Sequence, residues 1–172
     1  MQGYNATVAV DCASQVIVAH DIFADGSDPL HLSAMAGRVE EATGHVPRRV
    51  VADAGYYSED GVRRIEAMGT EAFVARRRIK HEERPLAPCG RPRDDLTAKQ
   101  RMERMLRTKR GRKIYAKRKT SVEPAFGQIK QERGFRTFLT RGLGLVAKEW
   151  ALVCTAHNRV KLWRRLRLAT AV

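Results

Sequence analysis

The chain opens on a two-residue period. Tyr4, Ala6, Val8 and Val10 alternate with Asn5, Thr7 and Ala9, which predicts a strand from Tyr4 to Asp11. Cys12-Ala13-Ser14 reads as a short turn. Gln15 to Ile22, rich in Val and Ile, reads as a second strand, so the pair predicts a hairpin. Asp25-Gly26-Ser27-Asp28-Pro29 has the composition of a loop. The period then lengthens: Leu32, Met35, Ala36 and Val39 place a helix over Leu30 to Thr43, with Gly44 as its stop. Arg49 to Ala52 is a short apolar strand ending at Asp53-Ala54-Gly55. Ser58 is placed to cap a helix running to about Met68, with Val62, Ile65 and Met68 on its apolar side. Glu71 to Ala75 is a further strand. The order β-β-α-β-α-β points to an α/β fold with one sheet and one antiparallel hairpin.

At Arg76 the pattern changes. Residues 76–119 hold 18 basic and 5 acidic residues, with Pro85, Pro88 and Pro92 near the start. This reads as an exposed basic insertion or linker, helical in part from about Leu96 to Lys113 and disordered if isolated. A helix is expected from about Ser121, with Pro124 in its first turn, to about Arg133. Gly134-Phe135-Arg136-Thr137-Phe138 breaks it. A last helix spans about Leu143 to Leu166, with Val146, Trp150, Val153, Val160 and Trp163 as its core stripe. The organisation is therefore an α/β core over 1–75, the insertion over 76–119, and helices over 120–172 that complete the same domain.

At 172 residues the chain can bury a sizeable core. No apolar run approaches the roughly 18 residues of a membrane span, and the N-terminus has no signal-peptide pattern, so the expected location is cytoplasmic. Cys12, Cys89 and Cys154 are far apart and read as reduced thiols; the five scattered histidines do not suggest zinc. Charge is more telling. Residues 1–75 carry 5 basic and 11 acidic side chains, whereas 76–172 carry 28 and 8, within a net charge of +14. That asymmetry calls for a polyanionic partner. A ribosomal or architectural protein that binds RNA or DNA without chemistry would fit this balance too.

Two acids stand apart. Asp53 follows Val50-Val51-Ala52 at the carboxyl end of a strand, the edge at which open α/β sheets bind ligands. The ordinary use of Asp there is a turn or a helix cap. Glu123 sits in a basic run, seven residues before Lys130, so a regular helix puts the two on nearly one face. Val122, Phe126 and Ile129 form the neighbouring apolar stripe. The ordinary use of such a Glu is a surface ion pair. Carboxylates on separate elements can also hold Mg²⁺ for in-line phosphoryl displacement. Arg118 and Lys130 could then hold a backbone phosphate, and Tyr115 could pack on or hydrogen-bond to DNA.

Tyr115-x2-Arg118 and Glu123-x6-Lys130, together with Ala52-Asp53-Ala54-Gly55-Tyr56, resemble the catalytic half of bacterial insertion-sequence transposases of the DDE class. Gly3-Tyr4-Asn5-Ala6, Arg133-Gly134-Phe135-Arg136 and the closing Glu149-Trp150-Ala151-Leu152-Val153-Cys154 with Ala156-His157-Asn158 are similar to that family in style. Each motif is weak alone; five in order are specific. One departure is the four-residue gap between Arg118 and Glu123, where much of the class has three, which brings Lys119 into the phosphate-binding set.

The resemblance implies an RNase H-like mixed sheet with flanking helices. It implies two aspartates and a glutamate that bind Mg²⁺, or Mn²⁺, for strand cleavage and transfer on double-stranded DNA at transposon ends and targets. Asp53 matches the second aspartate and Glu123 the glutamate. The first aspartate belongs on a central strand upstream of the Gly-Tyr-Asn-Ala segment, and here the chain starts at Met1. Asp11, Asp25 and Asp28 read as turn and loop residues rather than substitutes. The expectation is a C-terminal transposase fragment, incomplete as a catalyst alone. It would associate with itself or with an N-terminal segment, and its neighbourhood would be the nucleoid. The competing expectation is a non-catalytic nucleic-acid-binding remnant.

Overall fold

The computed structural model describes residues 3–24, 28–76 and 86–170, and the chain divides into two compact units. Asp25, Gly26 and Ser27 of the expected loop, and Pro85 with the rest of 77–85, lie outside the described residues.

The first unit comprises Met1–Gly26, Glu41–Gly44 and Lys119–Val172. Strand β1 (Asn5–Val10) pairs antiparallel with β2 (Ile17–Phe23), from Asn5 opposite Phe23 to Val10 opposite Ile17, with a register shift at Ala9/Val10. The predicted hairpin is present, and Asp11 is its turn residue: its Oδ2 accepts from Ser14 N (2.7 Å) and Ser14 Oγ (2.6 Å). These bonds hold the Asp11 carboxyl below its usual pKa. Ile17, Ile22, Ile129, Val146, Trp150 and Cys154 form the core, with Phe126, Phe135 and Phe138 around the indole. Trp150 Nε1 donates to Thr7 O at 3.3 Å, so the buried indole keeps its hydrogen bond.

The second unit comprises Ser27–Glu40 and His45–Arg118. Strand β3 (Arg49–Ala52) runs parallel to β4 (Glu71–Val74), Ala52 opposite Val74. Most of α1 (Asp28–Thr43) and all of α2 (Glu59–Ala67) and α3 (Ala98–Arg107) belong to it. Leu32, Ala36, Val62, Ile65, Ala72, Val74 and Met102 are its aliphatic core. Ser58 caps α2 as expected, accepting from Gly61 N at 2.9 Å. Thr97 and Gln100 close a capping box on α3.

Four expectations are corrected. The four strands make two separate two-stranded sheets, not one, because β1 pairs only with β2 and β3 only with β4 among the described residues. The α/β class stands. Second, no break precedes Ser121: α4 runs from Lys109 to Gly127, with Pro124 in its interior. Its start is an elbow with α3 at Thr108, whose hydroxyl donates to Met105 O (2.7 Å) and accepts from Gly111 N (2.9 Å). Gly111 is required there, because a Cβ would fall 1.9 Å from Met105 O. Third, the buried row of the Glu123 segment is Ser121, Ala125 and Ile129; Val122 and Phe126 are half-buried. Fourth, α5 (Leu143–Thr170) buries Val146, Trp150, Cys154 and His157, while Trp163 is 51% exposed and stacks under Arg167. The hairpin contacts end near Asn158 and Lys161, so the apolar positions beyond have no strand to cover.

Candidate metal and nucleic-acid site

Asp53 leaves the end of β3 in an extended conformation (φ −70°, ψ 167°) and precedes a short 3₁₀ turn, Ala54–Tyr56. Its carboxylate makes no capping hydrogen bond, so the ordinary use of Asp at this position is not what the side chain does. Instead Oδ2 accepts from Arg118 Nη1 at 2.6 Å, with the carboxylate side chain 57% exposed and the guanidinium side chain 19%. Arg118 lies one turn after Tyr115 on α4, and its guanidinium carbon stands 5.7 Å from the Tyr115 ring centroid. Burial pushes the Tyr115 phenol above its usual pKa, so it stays a neutral donor at physiological pH. Three of the six candidates therefore meet within the second unit: Asp53, Tyr115 and Arg118. Tyr56 and Tyr57, which follow Asp53 in the chain, pack against the aliphatic core.

Lys119, Glu123 and Lys130 belong to the first unit, and all three are exposed. Glu123 and Lys130 do not share a face as a regular helix would have it. After Gly127 the chain enters a π-helical turn, Gln128–Glu132, with Arg133 N bonded to Gln128 O at 3.1 Å. Bonding to the fifth residue back turns the chain less per residue, so a seven-residue spacing no longer returns to the starting face. The Lys130 ammonium sits 5.6 Å from the Phe126 ring centroid instead.

Residues 91–163 match the family model of the transposase DDE domain. No curated protein and no solved structure matches the chain. The matched transposase segment covers α3, α4, the π turn and most of α5. It contains Tyr115, Arg118, Lys119, Glu123 and Lys130, while Asp53 is joined to it through Arg118. Transposase DDE domains in general use a divalent metal and have DNA as partner. No helix among the described residues is long and apolar enough to cross a membrane.

No group of three or more His, Cys, Asp or Glu that could hold a metal occurs among the described residues. Mg²⁺ asks for less, since one or two carboxylates suffice when substrate phosphate and water supply the other oxygens. Asp53 and Glu123, each exposed in its own unit, are hard oxygen donors suited to that cation. Cys154 is no alternative ligand: burial raises its thiol to about 12.

The closing motif of the matched segment proves to be architectural in ways its residue types did not announce. Glu149 accepts from Leu139 N (2.9 Å), Thr140 N (3.0 Å) and Thr140 Oγ1 (2.6 Å), which holds its pKa below the usual range. Asn158 pairs with both backbone groups of Ile17, each at 2.8 Å, as a neighbouring strand would. His157 lies wholly buried between Gln15 O (3.2 Å) and Arg133 Nη1 (3.4 Å). A carbonyl needs a donor and a guanidinium an acceptor, so the ring is neutral with its proton on Nε2. Burial, the largest cause, lowers its pKa accordingly.

Proposed function

We propose that this chain is the C-terminal part of an RNase H-like catalytic domain of an insertion-sequence transposase, acting in metal-dependent DNA strand cleavage and transfer. The observation that carries the reading is the Asp53–Arg118 pair. An acid at a strand's carboxyl end, free of capping duty, is held at 2.6 Å by a cation of the matched transposase segment.

Asp53 and Glu123 are the proposed ligands for Mg²⁺ or Mn²⁺, which would activate the attacking oxygen and stabilise the leaving one. Arg118 exchanges the Asp53 carboxylate for a DNA phosphate oxygen, and Tyr115 beneath it keeps the guanidinium aimed while it does so. Lys119 and Lys130, both exposed, contact the backbone of the transposon end or target. An N-terminal segment would supply the first aspartate, the chain pairs with that segment or associates with itself, and the setting is the nucleoid.

The direct test is Mn²⁺-dependent nicking of duplex DNA by the chain, alone and with an upstream segment supplied. Glu123→Ala and Asp53→Ala are each expected to abolish it. Nicking that survives Glu123→Ala would sink the reading. A second reading, a binding protein without turnover, draws on the same pair, because Arg118 already neutralises Asp53. It predicts DNA binding that weakens steeply with salt and ignores both substitutions and added metal.

A further inference from the structure

Pro124 poses a problem of hydrogen-bond supply. Within a helix, residue 124 should donate to the carbonyl of Thr120, but proline has no N–H and its ring crowds that carbonyl. A donor for that carbonyl comes from 105 positions away: Gln15 Nε2 donates to Thr120 O at 2.9 Å. Thr120, Glu123, Pro124 and Gln15 all belong to the first unit.

Gln15 is built for this. It has φ +58°, the one described non-glycine residue in the left-handed region, a strained conformation that persists only where its surroundings enforce it. Three further bonds do so. Its N–H donates to Asp11 O (2.8 Å), its carbonyl accepts from the Nε2–H of buried His157 (3.2 Å), and its Oε1 accepts from Lys161 Nζ (2.7 Å). The Lys161 contact also settles which end of the amide is which, leaving Nε2 to face Thr120. The hairpin turn and α5 thus aim one carboxamide at the carbonyl opposite the Pro124 ring, in the turn of α4 that bears Glu123.

We propose that Gln15 is a positioning residue for Glu123: its carboxamide replaces the donor that Pro124 lacks and fixes the helical turn from which the Glu123 carboxylate projects. The positioning role rests on the reading of Glu123 as a metal ligand; the clasp on Thr120 does not.

The test is a double-mutant cycle on the whole chain. Gln15→Glu keeps an acceptor for Lys161 and removes the donor to Thr120. Pro124→Ala restores the backbone donor. Amide hydrogen exchange over 119–127 is expected to speed up about tenfold in Gln15→Glu, the cost of roughly one lost hydrogen bond. In the Pro124→Ala background the same substitution should change exchange by less than about twofold. Equal acceleration in both backgrounds, or none in either, would overturn the clasp. Mn²⁺ affinity, read by calorimetry, is expected to fall roughly tenfold in Gln15→Glu, as for loss of a group that orients a ligand, and to recover when Pro124→Ala is added. Faster exchange with unchanged Mn²⁺ affinity would leave a structural clasp and overturn the positioning role. Mn²⁺ affinity that ignores Glu123→Gln would instead overturn the ligand reading, with the exchange cycle still deciding the clasp.

Discussion

The two units spend their polar groups differently. In the first, side chains serve backbone: Glu149 takes the amides of Leu139 and Thr140, Asn158 takes both backbone groups of Ile17, and Trp150 reaches Thr7 O. In the second, the core is aliphatic, side chain-to-backbone bonds sit at helix ends and turns, as at Ser58, Thr97 and Thr108, and charged side chains pair with one another near the surface. Arg49 and Arg110 flank Glu71, Arg76 meets Glu103, and Arg118 meets Asp53. Directional bonds at buried sites are costly to leave unmade, whereas exposed ion pairs contribute little and weaken with salt. The first unit is therefore tied to one geometry. The second keeps cations on carboxylates they can leave at small cost.

The largest expected effect is that of Trp150→Ala, which empties the aromatic core and removes the donor to Thr7 O. A loss of about 3–5 kcal/mol is expected. Hydrogen exchange should show it in β1, β2 and α5 before β3 and β4. Simultaneous loss everywhere would break the contrast by showing one cooperative body. Next comes pH. His157 has a pKa below its ordinary value of 6.5 when folded, so the unfolded chain takes up this proton at higher pH than the folded one. Its contribution is complete above pH 6.5 and is lost as the pH falls through the folded value. Urea midpoints should decline in that window. His157→Gln, whose amide can still donate to Gln15 O, should flatten the decline and leave only the more acidic losses from Asp11 and Glu149. A slope unchanged by His157→Gln would place the titration elsewhere. The smallest effect is that of Glu71→Gln, which loosens two surface arginines and should cost about 0–1 kcal/mol at low ionic strength, vanishing near 1 M salt. A larger, salt-independent loss would mean that Glu71 contributes more than an exposed ion pair does.

Local pattern was legible where it was locally decided. The strand over Asn5 to Val10, the Ser58 cap and the Val62/Ile65 face appear as read, although the buried residue of that strand is Thr7, on the side that the alternation marks as polar. Pro124 misled because proline is usually admitted only in a first turn, and the donor that permits it mid-helix lies at Gln15, a distance no local window spans. Trp163 misled because periodicity continues along α5 past the point where the hairpin ends. Asp53 and Arg118 were each singled out, but nothing in either segment says that they bond to each other across 65 positions.

The π turn at Gln128–Glu132 has a bearing on comparison among relatives. Such a turn holds one residue more than the regular helix around it, and removing that residue restores the ordinary repeat. Family members one position shorter between Phe126 and Phe135 would therefore keep the same ends while presenting the lysine to a different neighbour. An alignment gap of a single position there would mark a change in side-chain direction, with no loss of the helix on either side.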